Sequence, residues 1–107
     1  MKYHNKKTEY KGMMFDSQKE AEHYVILEVL ENVGAISNLR RQVKYELIPK
    51  LKWSTGKTYR ATYYIADFVY ERDGKTIVED VKGFRTPVYK LKRLLMKWLH
   101  NIEISEV

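Results

Sequence analysis

An Asp-Gly pair between two strand-like segments constrains the fold of this chain more than any other feature. The first segment covers about residues 58–71 and is rich in tyrosine, threonine, isoleucine and valine, and the second covers about residues 75–82. Such a pair predicts a two-residue hairpin turn at Asp73 and Gly74. Arg72 then faces Lys75, and the same register places Asp67 directly opposite Asp80.

The other elements follow from caps and periodicity. A helix should begin near Ser17, with Asp16 or Ser17 as N-cap, and end near Val33 before Gly34. A strand is expected at about residues 39–48, with residues 50–57 as a loop. Thr86 and Pro87 should begin a second helix, and residues 101–105 could form a closing strand. The order α-β-β-β-α-β predicts an α/β fold with a mixed central sheet.

The length of 107 residues suits one domain, with residues 1–9 expected to be a flexible basic arm. Apolar residues cover more than half of the first helix, so we expect that helix to be largely enclosed. The second helix should be amphipathic. Its apolar stripe consists of Val88, Leu91, Leu95, Trp98 and Leu99.

Charge and composition narrow the function. The chain has 20 Lys and Arg against 14 Asp and Glu, a formal charge of +6, which favours a polyanionic partner such as nucleic acid. The absence of cysteine excludes disulfides, thiolate metal sites and a thiol nucleophile. No apolar run approaches the roughly 20 residues of a membrane span. We therefore expect a cytoplasmic protein that binds nucleic acid.

Two opposed carboxylates are the strongest chemical signal. Side chains of directly opposed strand residues lie roughly 4.5–5.5 Å apart at Cβ, and like charges at that distance destabilise a hairpin. A divalent cation bound between Asp67 and Asp80 would remove the repulsion. Lys82, two residues further on the same face, could orient a water or offset charge on a phosphate. The alternatives are a solvated face or a plain Lys82–Asp80 ion pair.

These residues resemble the PD-(D/E)XK nuclease signature, Asp67 followed by Asp80-Val81-Lys82, although Ala66 stands where the signature has proline. A small phage and prophage endonuclease family is similar over about residues 3–104. The resemblance is carried by Phe15-Asp16-Ser17-x-x-Glu20-Ala21, Leu39-Arg40-Arg41-Gln42, Tyr64-Ile65-Ala66-Asp67-Phe68, Val78-Glu79-Asp80-Val81-Lys82-Gly83 and Thr86-Pro87-x-Tyr89-Lys90-Leu91-Lys92.

The resemblance implies a restriction-endonuclease-like core and cleavage of branched DNA, in the manner of Holliday-junction resolvases. It implies Mg²⁺ as cofactor, with Mn²⁺ as a substitute, in the host cytoplasm if the protein is phage-encoded. Glu20 would complete the catalytic and metal-binding set of Asp67, Asp80 and Lys82. Two alternatives stay open: Glu20 as a capping residue only, and Glu22 as the functional acid, because periodicity places Glu22 on the apolar side of its helix.

Several further residues are candidates for contact with DNA. For Trp53 we favour core packing over a base-stacking wedge. A homodimer is expected, because symmetric cutting of a four-way junction needs two sites. Its interface would use the aromatic second strand, with Tyr59, Tyr63, Tyr64, Phe68 and Tyr70. The proposed DNA contacts are Arg40, Gln42, Lys44, Arg85, Lys90, Lys92 and Arg93.

Overall fold

The computed structural model describes residues 6–81 and 84–107. Lys82 and the arm residues 1–5 lie outside this range. The elements in chain order are β1 (Thr8–Tyr10), β2 (Met13–Phe15), α1 (Gln18–Asn32), β3 (Ser37–Ile48), β4 (Leu51–Lys52), β5 (Thr58–Tyr59), β6 (Thr62–Arg72), β7 (Lys75–Asp80), α2 (Pro87–His100) and β8 (Ser105–Glu106).

The main sheet has four strands in the order β3-β6-β7-β8. The first three are antiparallel neighbours, and β8 runs parallel to β7, so the sheet is mixed. Together with the two helices, these strands reproduce the predicted order α-β-β-β-α-β. The structure differs from the prediction at residues 50–60, where β4 and β5 form a separate small hairpin. The predicted second strand is therefore divided between β5 and β6.

The Asp73-Gly74 turn is confirmed. Arg72 pairs with Lys75, and the register continues through Val69 with Val78. Both turn residues have positive φ, 51° at Asp73 and 75° at Gly74, as a type I′ turn requires. The turn therefore sets the register of the two strands that carry the candidate carboxylates.

The two helices pack on opposite faces of the sheet. Tyr89 and Met96 of α2 pack in a buried cluster with Val69 and Val78. The buried residues of α1, among them Leu27, pack in the second cluster with side chains that include Phe15, Phe68 and Tyr70. Since Phe68 and Val69 are successive residues of β6, they point to opposite faces. The middle of β6 is thus covered on both sides.

Both helices are more exposed than their apolar patterns predict. The enclosure expected for α1 is wrong, because Val25, Ile26, Val29 and Val33 are 37–72% exposed. The predicted stripe of α2 is also largely exposed, and Trp98 reaches 80%. The physical reason is that each helix meets the sheet along one narrow face. In the described chain, no further layer covers the outer sides of the helices.

The predicted helix starts are confirmed by their caps. The Glu20 amide donates to Ser17 Oγ at 3.1 Å, and the Tyr89 amide donates to Thr86 Oγ1 at 3.1 Å. The flexible arm is corrected at its end, because Thr8 and Glu9 belong to β1 and pair with β2. Over residues 6–81 and 84–107, neither helix has the length and apolar content that a membrane crossing would need.

The turn can be tested by substitution. Gly74→Ala should lower the free energy of unfolding by roughly 1–2 kcal/mol, because a Cβ is disfavoured at a left-handed φ. Asp73→Asn is the matched control, since Asn-Gly suits the same turn, and it should leave stability unchanged. Urea unfolding of both variants measures the difference. Equal stability of Gly74→Ala and the natural chain would contradict the role given to this turn.

Candidate functional site

The register of the β6–β7 hairpin brings two carboxylates to its far end. The last pair of the β6–β7 register joins Phe68 to Glu79, and Asp67 Oδ2 accepts a bond from the Val81 amide just beyond it. Both side chains are withdrawn from water, with 8% of Asp67 and 2% of Asp80 exposed. The structure therefore brings the two buried carboxylates to one end of the hairpin, and their direct opposition across the strands stays a prediction.

Hydrogen bonds hold both carboxylates. The Val81 amide donates to Asp67 Oδ2 at 2.8 Å. Tyr64 Oη donates to Asp80 Oδ2 at 2.7 Å, and the Val107 amide donates to the main-chain oxygen of Asp80 at 3.0 Å. Burial, and then the nearby Asp80 carboxylate, raise the pKa of Tyr64 far above its ordinary value. Tyr64 therefore keeps its proton and remains a donor to Asp80.

The side-chain alternation of β6 changes near Asp67. Phe68 and Tyr70 pack in the α1 cluster, whereas Tyr64 and Ala66, at positions of the same parity, pack in the α2 cluster. On the neighbouring strand, Gln42 has a φ of 52° and lies between the pairs Arg41–Phe68 and Val43–Ala66. Left-handed φ values are uncommon for residues with a Cβ and cluster at functional sites. This local twist allows Tyr64 to reach Asp80.

Burial separates the two candidate acids of α1. Glu20 is 1% exposed, while Glu22 is exposed and borders a cleft with Lys19, His23 and Val81. The periodicity argument for Glu22 is therefore wrong, since that face of α1 is not covered. Glu20 lies in the first turn of the helix, and its amide is the donor that Ser17 caps.

The three candidate carboxylates, Glu20, Asp67 and Asp80, come from three elements, α1, β6 and β7. Within residues 6–81 and 84–107, no group of three or more Asp, Glu, His or Cys side chains is arranged to hold a metal ion. Lys82, the fourth predicted catalytic residue, lies outside the described residues.

A cleft borders the Asp80 side of the site. It measures about 280 Å³, and its walls include Tyr64, Asp80, Thr86, Tyr89 and Lys92. Lys92 Nζ donates to the Tyr63 carbonyl at 2.8 Å, so this cation is held at the rim. The cleft also meets the first turn of α2, whose amide groups favour an anion.

The other proposed DNA contacts are distributed unevenly. Arg40 pairs with Glu71 at 3.2 Å, and Arg85 pairs with Glu106 at 2.6 Å, so both guanidinium groups already have acidic partners. Lys44 lies with Nζ 5.5 Å from the centroid of the Tyr63 ring. Lys90, Arg93 and Gln42 are exposed. The structure thus places only Lys92 of this set in the cleft beside the carboxylates.

Sequence reasoning missed the contacts that hold β7 beside the site on the face of the sheet toward α1. His23 Nε2 lies 2.7 Å from Glu79 Oε1, and Tyr70 Oη donates to Glu79 Oε2 at 2.5 Å. These contacts join α1 and β6 to β7 one residue before Asp80. The available signal was strand parity, which places Glu79 on the face toward α1, where a carboxylate needs partners.

The aromatic surface predicted for a dimer is also corrected. Tyr64, Phe68 and Tyr70 are at most 4% exposed, because the two helices cover them within one subunit. Tyr59 and Tyr63 remain 39% and 38% exposed. Trp53, expected to pack in the core, is 50% exposed on the β4–β5 hairpin. Trp53 directly follows β4, which pairs with β5 in a sheet separate from the main one.

Comparison with known proteins supplies a family. A family model described as a protein of unknown function, DUF1064, matches residues 1–105. The chain belongs to the DUF1064 family. Comparisons with curated proteins and with solved structures gave no match. The match covers the described fold as far as residue 105, including the carboxylate pair, and leaves its chemistry to be argued from the residues.

The Arg85–Glu106 pair predicts an acid-sensitive contribution to stability. Bonds from Arg85, and then from Tyr89, hold the pKa of Glu106 at about 2, below the ordinary 4.5. The stabilisation is present above pH 4.5 and is lost as pH falls toward 2. Glu106→Gln should therefore be less stable at pH 7 by roughly 1 kcal/mol, since the pair is partly exposed. Unfolding curves should converge near pH 2, and a difference that persists there would contradict this account.

Proposed function

We propose that this chain is a metal-dependent endodeoxyribonuclease of the PD-(D/E)XK type, with a restriction-endonuclease-like core and Mg²⁺ as cofactor. The observation that carries the proposal is the pair of buried carboxylates, Asp67 and Asp80, at one end of the β6–β7 hairpin. The order of elements and the mixed sheet agree with such a core. The proposed substrate is branched DNA, such as a four-way junction.

The residues of the site suit a hard cation. Mg²⁺ takes oxygen ligands, and it is commonly bound through one or two carboxylates with waters and phosphate oxygens completing its shell. Asp67 and Asp80 supply such carboxylates, and buried Glu20 is the third carboxylate of the proposed metal-binding set. A bound Mg²⁺ would polarise a phosphoryl oxygen and acidify a water. Mn²⁺ takes the same ligands and should substitute.

The chain itself would orient the substrate. The Val81 amide and the Tyr64 hydroxyl fix the two carboxylates, so that neither has to reorganise when DNA binds. Lys92, at the rim of the cleft, would attract a phosphate beside Asp80. Lys82 keeps its proposed role of offsetting charge on the scissile phosphate. We keep the cytoplasm as the proposed compartment, because a chain without cysteine suits reducing conditions.

A second candidate is a nucleic-acid-binding protein without catalysis on a nuclease-like fold. The observation that favours it is the lack of a three-ligand group within the described residues. The two candidates differ in one result. A nuclease cuts linear, flapped or four-way DNA when Mg²⁺ is added, whereas a binding protein retains the DNA uncut.

Substitution of the carboxylate pair tests the nuclease. Asp67→Asn and Asp80→Asn should each lower Mg²⁺-dependent cleavage of a four-way junction by at least about a hundredfold, because a ligand to the metal is lost. DNA binding measured in EDTA should be retained or strengthened, since a negative charge is removed. Glu22→Gln, which neutralises an exposed carboxylate of α1, is the control and should cut normally. Full activity of Asp67→Asn would overturn the assignment.

We also propose that the active form is a homodimer joined through α2. Two symmetric incisions need two sites, and each chain has one. The apolar residues Val88, Leu91, Leu95 and Trp98 follow the 3-4-3 spacing with which paired helices interlock, and Val88, Leu91 and Trp98 are 58–80% exposed.

Light scattering should give about twice the chain mass of 12.9 kDa at micromolar protein. Leu91→Lys, which charges the middle of the stripe, should return the mass to that of one chain. Val29→Lys, at an exposed apolar position of α1, is the matched control and should remain dimeric. A mass near 12.9 kDa for the unsubstituted chain, with and without DNA, would exclude the dimer.

A further inference from the structure

Residues 50–60 form an arm that belongs to neither helix layer. We call this segment the basic hairpin. Its strands β4 and β5 pair only with each other, Leu51 with Tyr59 and Lys52 with Thr58. Its tip is closed by bonds from the Trp53 amide to the Lys57 carbonyl and from the Gly56 amide to the Trp53 carbonyl. All residues from 48 to 60 are exposed.

The basic hairpin carries one sign of charge. No aspartate or glutamate occurs from residue 47 to residue 66, whereas Lys50, Lys52, Lys57 and Arg60 all fall in that stretch. Within residues 6–81 and 84–107, none of these four cations is paired with an acid. Unpaired cations concentrated on an exposed arm indicate a polyanionic partner.

Two aromatic rings stand among these charges. The Trp53 and Tyr59 rings lie 4.8 Å apart between centroids, and Lys57 Nζ lies 5.1 Å from the Tyr59 ring. Half of Trp53 is exposed, although burial would stabilise so large an apolar ring. An exposed ring beside cations is the combination that stacks nucleic-acid bases. At the base of the arm, Lys50, Tyr59 and Arg60 line an open recess of about 710 Å³.

A basic, aromatic arm of this kind suits recognition of DNA structure. We infer that the basic hairpin binds DNA and that Trp53 stacks on a base exposed where a duplex is interrupted. The charges would attract any DNA, but an intact duplex offers no open base face along its length. Open base faces occur at branch points, flaps and single strands. Stacking by Trp53 would therefore favour these structures over an intact duplex, which the charges alone cannot do. This inference rests on the proposed function for its partner and concerns a different part of the chain.

The position of the basic hairpin limits the distance between Trp53 and Asp67. β3 and β6 pair up to Ile48 and Thr62, and the basic hairpin continues beyond that end of the ribbon. Trp53 is level with Lys57, ten residues before Asp67, so the two are separated by at most ~33 Å at 3.3 Å per residue. The molecule is 54 Å long, which accommodates this span. The separation corresponds to about ten base pairs at 3.4 Å each.

The test measures DNA binding by fluorescence anisotropy in EDTA, so that no cutting occurs. The probes are a four-way junction and a linear duplex with the same arm sequence. Trp53→Ala should weaken junction binding about five- to hundredfold and leave duplex binding unchanged, because only the stacked base is lost. Trp53→Phe keeps a ring and should retain most of the preference. Equal effects of Trp53→Ala on both probes, or no effect, would overturn the inference.

The lysines of the basic hairpin are tested by a double substitution with a matched control. Lys52→Ala/Lys57→Ala should weaken binding to both probes and reduce the slope of log K against log salt by about 1.8, if each lysine contacts one phosphate. Arg72→Ala/Lys75→Ala removes the same charge from the turn at the opposite end of β6 and should leave the slope unchanged. If both pairs change the slope alike, the basic hairpin has no special part in binding.

A spectroscopic measurement removes the question of misfolding. In Trp98→Phe, which keeps an apolar ring at the proposed dimer surface, Trp53 is the only tryptophan, and its fluorescence should be quenched by the junction and not by the duplex. Unchanged emission with saturating junction would contradict stacking. If the unsubstituted chain binds a folded RNA of equal length more tightly than the junction, the partner is RNA and not DNA, and the proposal is overturned.

Failure of this inference is distinguishable from failure of the proposed nuclease. If the chain binds junctions through Trp53 but never cuts with Mg²⁺, the nuclease proposal fails alone. If it cuts with Mg²⁺ and the hairpin variants bind and cut normally, this inference fails alone. In a cutting protein, incisions should lie within about ten base pairs of the branch point, and incisions farther away would contradict the separation of Trp53 from Asp67.

Discussion

Four carboxylates with almost no exposure impose the main constraint on this fold. A buried charge is costly unless other groups stabilise it, and Glu20, Asp67, Glu79 and Asp80 are all below one-tenth exposed. Part of the answer is visible in the bonds from Val81 and Tyr64. Tyrosines serve this purpose well because they fill apolar space with the ring and still donate from the hydroxyl.

Main-chain pairing then fixes where the carboxylates stand. Asp80 is the last residue of β7, and both neighbours of that strand contribute at this point: β6 presents Asp67, and the chain after β8 donates to the Asp80 carbonyl. On the α1 side, the His23–Glu79 contact holds the helix against the preceding residue. The site is therefore built at a convergence of strand ends.

Local chemistry made much of this arrangement predictable. The Asp73-Gly74 turn determined the register, and so brought Asp67 and Asp80 to the same end of the hairpin. Ser17 and Thr86 determined where the helices begin. The faces of the helices could not be predicted in the same way, because α1 and α2 carry more apolar residues than one sheet can cover. Periodicity shows which residues share a face, but it does not show which face meets the sheet.

The basic hairpin marks a second limit of sequence reasoning. Trp53 lies in a short segment between Pro49 and strand β6, where a large ring is as compatible with the core as with the surface. Its exposure depends on the β3–β6 ribbon ending at Ile48 and Thr62, before the ring could reach either cluster. Long-range pairing therefore decided the position of Trp53. The Lys and Arg residues around it were visible in the sequence, but their meaning required knowing that they share one arm.

The distribution of ion pairs separates two kinds of basic residue. Arg40 and Arg85 are bound to Glu71 and Glu106, so their charges already stabilise the folded chain, and a phosphate would have to compete with a carboxylate for each of them. The four cations of the basic hairpin face no such competition within the described residues. A net charge alone treats these groups as equal. Binding energy toward a polyanion should come chiefly from the unpaired group, because its cations lose only water when a phosphate arrives.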